Sequence, residues 1–168
     1  PEAEYYNFNK EGGSGYTKIP GDGGWYYESQ FQSGMPDLNL DCTALRTEIE
    51  KIAKFWYDKG IRGYRLDAAL HYYEGNNKKS TEALKWFYDY VESLDSSNYV
   101  VAEVWSDASA LDKFYESGVD SLFNFPYGTS EGYIVLTCNR AGNGSGGGKF
   151  ANFVVNRYVE VKAIDSNY

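Results

Sequence analysis

Two short segments of the chain end in side chains that could carry acid–base or nucleophilic chemistry. One apolar run closes with Arg65 and Asp67, two residues apart, and a later run closes with Glu103. Residues two apart on a strand project to the same face, so the Arg65 guanidinium can hold the Asp67 carboxylate ionised and oriented. If the two runs are adjacent parallel strands, about 4.8 Å apart, the two carboxyl groups meet at one sheet edge.

Two carboxyl groups about 5–5.5 Å apart are the arrangement found in retaining glycosidases. There, an ionised carboxylate attacks the sugar carbon, while a second carboxyl with a raised pKa protonates the leaving oxygen and later activates water. The arginine beside Asp67 favours that residue as the nucleophile and leaves Glu103 as the acid/base. Spacing alone leaves an alternative open, because a structural Arg–Asp ion pair and an unrelated strand-end Glu would look the same.

The apolar pattern predicts that helices and strands alternate from residue 41 onwards. Residues 1–40 are rich in Gly, Tyr, Asn and Pro and predict loops with short strands. Helices are predicted from an N-cap at Asp41 to Gly60, from a cap at Ser80 onwards, and over residues 109–116. Two more are predicted, one that begins at about residue 129 and one that follows a glycine run and ends at about residue 160. Strands are predicted over 61–66, 99–102 and 119–125, with one more beginning at Ala163 and Ile164. This order predicts an α/β fold with parallel strands. It does not distinguish an open sheet from a closed barrel.

The composition narrows the classes of partner. With 16 basic and 24 acidic residues the net charge is −8, which argues against nucleic acid. No run approaches the roughly 18 apolar residues of a membrane helix. No signal peptide follows Pro1, which predicts a processed chain or a piece of a longer one.

Cys42 and Cys138 form neither a disulfide framework nor a metal-binding spacing. The many Tyr, Phe and Trp residues suit a core and also suit sugar stacking.

Three segments, in one consistent order, resemble the α-amylase family of glycoside hydrolases. G-I-R-G-Y-R-L-D-A-A-L-H at Gly60–His71 closely resembles the second conserved region of that family, and V-A-E-V-W at Val101–Trp105 resembles the third. M-P-D-L-N at Met35–Asn39 resembles the segment that closes the family's small second domain. F-N-F-P-Y-G at Phe123–Gly128 follows where the next strand should end.

The resemblance implies a role for each matching residue. Asp67 is the nucleophile, Glu103 the general acid/base and Arg65 the residue that supports the nucleophile. His71 resembles the family's substrate-contacting histidine, and Trp105, just past the acid, stacks on a sugar ring or packs in the core. The function implied is retaining hydrolysis of α-1,4-glucosidic bonds in starch-like glucans, through a covalent glycosyl-enzyme intermediate.

The resemblance also implies a structural calcium ion. Asp37 resembles its carboxylate ligand, and His71 would add its backbone carbonyl; the alternative for Asp37 is a cap or turn role. Leu70 stands where many amylases have Lys, so one substrate contact is expected to be absent. Because His71 is the only histidine, the family's Asn-His region and its later His-Asp region, with the third carboxylate, have no match.

The expected architecture is a partial (β/α)8 TIM barrel, about strands 4 to 7 with their helices, over residues 41–168. Residues 1–40 are expected to be part of a small loop-rich second domain. A barrel of this kind takes roughly 250 residues, so the chain alone is expected to be inactive and, with open sheet edges, to self-associate. The resemblance further implies secretion.

Two other classes of function remain as alternatives. One is a non-catalytic amylase-like protein, such as the heavy chains of amino-acid transporters, and the other is a carbohydrate-binding module. A formal G-x-G-x-x-G match at Gly142, Gly144 and Gly147 raises dinucleotide binding. The residues before it suit a helix better than a strand, which favours a flexible loop between helices.

Overall fold

Residues 2–21, 23–128, 146–164 and 166 are described in the computed structural model. The chain divides into two units, Pro1–Ile61 and Arg62–Tyr168. The helix after residue 41 lies in the first of these units, although the sequence grouped it with the barrel. The domain boundary at residue 40 stays a prediction.

The first unit contains a small antiparallel sheet. After a 3-10 helix at Glu2–Tyr5, strands β1 (Phe8–Asn9), β2 (Tyr16–Lys18) and β3 (Tyr26–Glu28) pair in the order β1-β3-β2. Glycines with positive φ, such as Gly24 at +88°, turn the chain between β2 and β3. The loops with short strands expected in this region are therefore present.

The M-P-D-L-N segment closes onto this sheet. The Asp37 N–H donates to the Glu28 carbonyl at 3.0 Å, and the Asn39 N–H donates to the Tyr5 carbonyl at 2.7 Å. Leu38 forms an isolated antiparallel bridge with Tyr6. These backbone bonds hold the segment in an extended conformation.

Helix α1 (Thr43–Asp58) completes the first unit. Its N-cap is Cys42, which makes no side-chain cap bond, so the predicted cap at Asp41 is one residue too early. The predicted end is confirmed: Gly60 has a φ of +97° and donates its N–H to the Tyr57 carbonyl at 2.9 Å. The helix buries Leu45 and Ala53 and exposes Ile52, Phe55 and Trp56.

The second unit is built on a parallel sheet. Strands β4 (Gly63–Leu66), β5 (Tyr99–Ala102) and β6 (Ser121–Leu122) pair in the order β4-β5-β6. Helices α2 (Asn77–Leu94) and α3 (Ala108–Tyr115) make the two crossovers and pack on each other. The alternation of strand and helix predicted from the apolar pattern is confirmed over this stretch.

In the described residues after the sheet there are two further helices, α4 (Phe125–Gly128) and α5 (Gly146–Ile164), and α5 packs on α3. The core of the second unit is formed by α2, β5, α3 and the residues next to them. Its fully buried members include Leu84, Val91, Val100, Val104, Leu111, Phe114 and Val119. None of the described helices is both long and apolar enough to cross a membrane.

Three further predictions differ from the structure. Ser80 does not cap α2; Asn76 does, accepting the Lys79 N–H at 3.1 Å, while Ser80 lies buried in the first turn. The predicted last strand is wrong, because Ala163 and Ile164 are in the final turn of α5. Two apolar residues carry no period, so they could not distinguish a helix end from a strand start.

The strand predicted over 119–125 is limited to Ser121–Leu122, since Phe125 already begins α4. The helix predicted from about 129 and most of the glycine run, with Gly142 and Gly144, lie outside the described residues.

Candidate active site

The backbone ladder continues past the ends of β4 and β5 and brings their polar residues together. The Glu103 N–H donates to the Leu66 carbonyl at 2.8 Å, and the Glu103 carbonyl accepts the Ala69 N–H at 2.8 Å. On the other side, the Phe123 N–H donates to the Ala102 carbonyl at 3.1 Å. Glu103 is thus held between the chain that follows β4 and the chain that follows β6.

A single guanidinium joins the two carboxylates that the sequence singled out. Arg65 Nη1 lies 2.7 Å from Asp67 Oδ1, and Arg65 Nη2 contacts Glu103 Oε2. The two carboxylates are therefore separated by no more than one guanidinium and two ion-pair contacts. The Asp67 side chain is 75% exposed and that of Glu103 only 18%. An open carboxylate and a more enclosed one thus lie at the same edge of the sheet, at the ends of neighbouring strands.

The residue after Asp67 has an unusual backbone. Among the described residues Ala68 is the only non-glycine with positive φ, at +47° with a ψ of +40°. This left-handed conformation costs an L-residue with a Cβ about 1–2 kcal/mol. It turns the chain sharply, so that Ala69 reaches the Glu103 carbonyl. The strained residue therefore lies directly after Asp67, next to the residue that contacts the Glu103 backbone.

Aromatic side chains lie around a cavity at this edge of the sheet. Trp105 is 65% exposed and stacks on Phe125, with ring centroids 4.8 Å apart and planes 14° from parallel. Phe123 meets Phe125 edge-on and lies 5.6 Å from the Arg65 guanidinium. A surface cavity of about 350 Å³ is lined by Arg65, Glu103, Phe123, Asn124, Phe125 and Gly128.

The sequence pattern assigns no role to the two phenylalanines. Phe123 and Phe125 are aromatic residues placed directly after a strand end, which is where a parallel sheet forms its site. That placement was the available signal. Trp105, by contrast, was singled out, and its exposure shows that it is not a core residue.

His71 ends a 3-10 helix (Ala69–His71) that follows the strained turn. Its N–H donates to the Ala68 carbonyl at 2.9 Å, and its Nδ1 lies 2.7 Å from Glu74 Oε2. Burial raises the pKa of the neighbouring Tyr72 phenol, and the negative charge of Asp67 adds to that rise. A neutral phenol and an imidazole therefore follow the nucleophile candidate.

Asp37 lies in the first unit, where its Oδ2 accepts the Gln30 N–H at 2.6 Å. Calcium takes six to eight oxygen ligands. Within the described ranges no group of three or more His, Cys, Asp or Glu side chains is close enough to hold a metal ion. The Gln30 contact fits the turn role of Asp37, and the calcium ion implied by the resemblance stays a prediction.

Comparison with known proteins places this geometry in a family. Residues 9–134 match the profile described as the alpha-amylase catalytic domain. Alpha-amylase 3 of Dictyoglomus thermophilum is 46% identical over 101 residues, 60% of this chain and 20% of that protein. Maltase A2 of Drosophila melanogaster is 42% identical over 52 residues, 31% of this chain and 9% of that protein.

Among solved structures, Amy13B of Eubacterium rectale superposes with a TM-score of 0.91 at 40% identity, covering 98% of this chain and 32% of that one. The alpha-amylase of H. orenii superposes with a TM-score of 0.71 at 28% identity, covering 93% and 33%. This chain therefore spans a third or less of the length of each of these relatives. The β4-β5-β6 sheet corresponds to part of the (β/α)8 barrel that the family implies, and the numbering of its strands as 4 to 7 stays a prediction. On this evidence the chain belongs to the α-amylase family of glycoside hydrolases.

Proposed function

We propose that the protein containing this chain is a retaining glycoside hydrolase that cleaves α-1,4-glucosidic bonds of starch-like glucans. One observation carries the proposal: the Arg65 fork contacts both Asp67 and Glu103 at the ends of adjacent parallel strands. A planar guanidinium fixes the distance and orientation of two carboxylates better than a point charge does. A pair held this way suits the short carboxylate separation of a retaining mechanism.

In the proposed mechanism Asp67 attacks the anomeric carbon, and Glu103 gives its proton to the departing glycosidic oxygen. The covalent glycosyl-enzyme is then attacked by water, whose proton returns to Glu103 as the Asp67 ester bond breaks. The exposure of the Asp67 carboxylate supports its role as the attacking group, since a sugar can reach it. Arg65 contacts both carboxylates in this structure and is assigned to their orientation.

The aromatic rings supply a surface for the glucan. The stacked Trp105–Phe125 pair presents a flat, exposed face close to the cavity that contains Glu103. Sugar rings pack their apolar faces against such side chains. His71 is assigned to a hydrogen bond with a substrate hydroxyl. Secretion, and calcium bound through Asp37 and the His71 carbonyl, stay expectations of the family, and no step above uses a metal ion.

The test is hydrolysis of maltoheptaose by the full-length protein. Glu103→Gln should lower kcat by about 10²–10⁴-fold, because it removes acid catalysis. Glu82→Gln, which changes an exposed carboxylate on α2, should leave kcat unchanged. The first product released should be the α-anomer, observed by NMR. Release of the β-anomer, or near-normal turnover by Glu103→Gln, contradicts the proposal.

A second candidate is carbohydrate binding without turnover, favoured by the 65% exposure of Trp105. In that case the full-length protein would bind maltoheptaose and release no glucose or maltose. Trp105→Ala would abolish binding, whereas Asp67→Asn would leave binding intact. The residues 1–168 assayed alone are proposed to lack turnover under either function.

A further inference from the structure

The imidazole of His71 faces a carboxylate from its own loop. His71 Nδ1 and Glu74 Oε2 are 2.7 Å apart. An ionised carboxylate can only accept hydrogen bonds, so the proton in this contact belongs to Nδ1. In the neutral imidazole the other nitrogen, Nε2, then carries no proton and acts as an acceptor.

A tight turn holds Glu74 in place. The Asn76 N–H donates to the Tyr73 carbonyl at 2.9 Å and closes a four-residue turn, with Glu74 second and Gly75 third. Gly75 has a φ of +69°, the left-handed value that the third position of a type II turn requires. Glycine adopts this value without steric cost, so the turn is stable as built.

Hydrogen bonds connect this four-residue turn to the first turn of α2. Asn76 caps this helix by accepting the Lys79 N–H. Ser80, which is fully buried, accepts the Tyr73 N–H at 3.0 Å through its hydroxyl oxygen. The Lys79 ammonium lies 4.7 Å from the centre of the Tyr73 ring. The backbone on both sides of Glu74 is therefore held in place, which limits the positions that the Glu74 carboxylate can take.

We propose that Glu74 is a positioning residue, which fixes His71 in the Nδ1–H tautomer so that Nε2 accepts a hydrogen bond from a substrate hydroxyl. The identity of that hydroxyl as part of a glucan rests on the proposed function; the tautomer does not. The contact that one ring nitrogen makes generally decides what the other can do. Glu74 thus acts on the substrate through His71 and does not touch it.

The test uses the fact that His71 is the only histidine of the chain. Long-range 15N–1H NMR spectra of the 168-residue chain report the tautomer without overlap. The wild-type ring should be mainly Nδ1–H. Glu74→Ala should lower the ratio of the Nδ1–H to the Nε2–H form by about five- to tenfold, through loss of a charge-assisted hydrogen bond.

Two further variants make the result decisive. Glu74→Gln keeps an acceptor oxygen in the same place and should retain a majority of the Nδ1–H form. Glu82→Ala removes an exposed carboxylate of α2, paired loosely with Lys78 at 3.9 Å, and should change nothing. An Nε2–H majority in the wild type or in Glu74→Gln overturns the proposal. So does a ratio that is unchanged in Glu74→Ala, or one that shifts equally in Glu82→Ala.

A binding measurement separates this inference from the proposed function. Maltoheptaose titrated into the chain should shift the His71 ring signals, with an affinity about two- to fivefold weaker in Glu74→Ala, because the affinity falls with the fraction of the Nδ1–H form, and unchanged in Glu82→Ala. If the wild-type chain binds no maltoheptaose, glucan binding by this chain fails. The tautomer spectra still decide whether Glu74 orients His71.

Discussion

Arg65 contacts two carboxylates through two different nitrogens, Nη1 for Asp67 and Nη2 for Glu103. A lysine keeps the charge but offers one compact ammonium on a flexible stem, so it cannot hold both groups in one plane. We expect Arg65→Lys to lower kcat/KM on maltoheptaose by about 10²-fold in the full-length enzyme, because small misplacements of reacting groups have effects of this size.

The matched control is Arg62→Lys, which makes the same exchange at an exposed residue just before β4. This variant should keep the wild-type kcat/KM. If the Arg65→Lys and Arg62→Lys enzymes were equally active, the fork geometry would have no part in orienting the pair.

Ala68 provides a second residue-scale prediction, one that concerns stability. Ala68→Gly should change the free energy of unfolding by less than about 1 kcal/mol, because relief of the left-handed backbone is offset by the greater freedom of glycine in the unfolded chain. Ala68→Val should cost about 2 kcal/mol or more, since a β-branched side chain crowds this backbone further. Urea denaturation of the chain measures both.

The control for that series is Ala151→Val, at an exposed position of α5, which should cost only about 0.5 kcal/mol through helix propensity. Equal effects of valine at positions 68 and 151 would show that the left-handed φ of Ala68 carries no strain.

At the scale of elements, apolar runs ended by polar residues were enough to locate β4 and β5 and the carboxylates beyond them. The period of the helices predicted α2 and α3 but not their caps. Ser80 is a good N-cap by type, yet its hydroxyl is used inside the unit to hold the Tyr73 backbone. The Glu74–His71 contact could not be predicted, because it depends on a turn closed by Asn76 and on the ring orientation that follows.

Helix α3 begins at a cap whose strength depends on pH. Asp107 accepts the Ala110 N–H at 2.9 Å and the Ser109 hydroxyl at 2.9 Å, and these bonds lower the pKa of its carboxyl, the Ala110 bond most. A pKa lower in the folded than in the unfolded state means that the stabilisation is complete above about pH 4 and lost as the pH falls through the folded value.

We therefore expect Asp107→Asn, which keeps a capping oxygen, to match the wild-type stability at neutral pH within about 0.5 kcal/mol. Below about pH 4 the stability of the wild type should fall more steeply than that of the variant. Thermal unfolding monitored by circular dichroism between neutral and acidic pH measures the difference. Parallel pH profiles for the two proteins would contradict this account of the cap.

Helices α3 and α5 are joined by an ion pair with little access to water. Arg157 is 8% exposed and contacts Asp112 at 2.5 Å and Glu160 at 2.8 Å. The hydrogen bond with Asp112 raises the pKa of Arg157 further above its usual range. Asp112→Asn should lower the free energy of unfolding by about 1–3 kcal/mol, because it leaves an enclosed guanidinium with one fewer charged acceptor.

The same substitution in an exposed pair is the control. Asp89→Asn breaks the Lys85–Asp89 contact on α2, whose side chains are about half exposed. It should change the stability by less than about 0.5 kcal/mol. If the two aspartate variants lost the same stability in urea, the α3–α5 ion pair would contribute no more than a surface pair.

At the scale of the whole molecule, the second unit presents surfaces that invite association. In the described part of the chain, β4 and β6 each have a strand neighbour on one side only. Val155, Tyr158 and Val159 on α5 are each 60–62% exposed. Apolar area buried between copies is favourable roughly in proportion to its size, and open strand edges pair readily. The 168-residue chain alone should therefore form oligomers as its concentration rises.

Sedimentation velocity over a range of protein concentrations tests this association. Val159→Glu, which places a charge in the apolar face of α5, should shift the distribution towards monomer. Asn156→Glu adds the same charge to the same helix at an exposed polar residue and should leave the distribution as in the wild type. Moderate sodium chloride should have little effect, since screening acts on charges and the proposed contact is apolar. A chain that stays monomeric at every concentration would show that neither the strand edges nor α5 form a contact between copies.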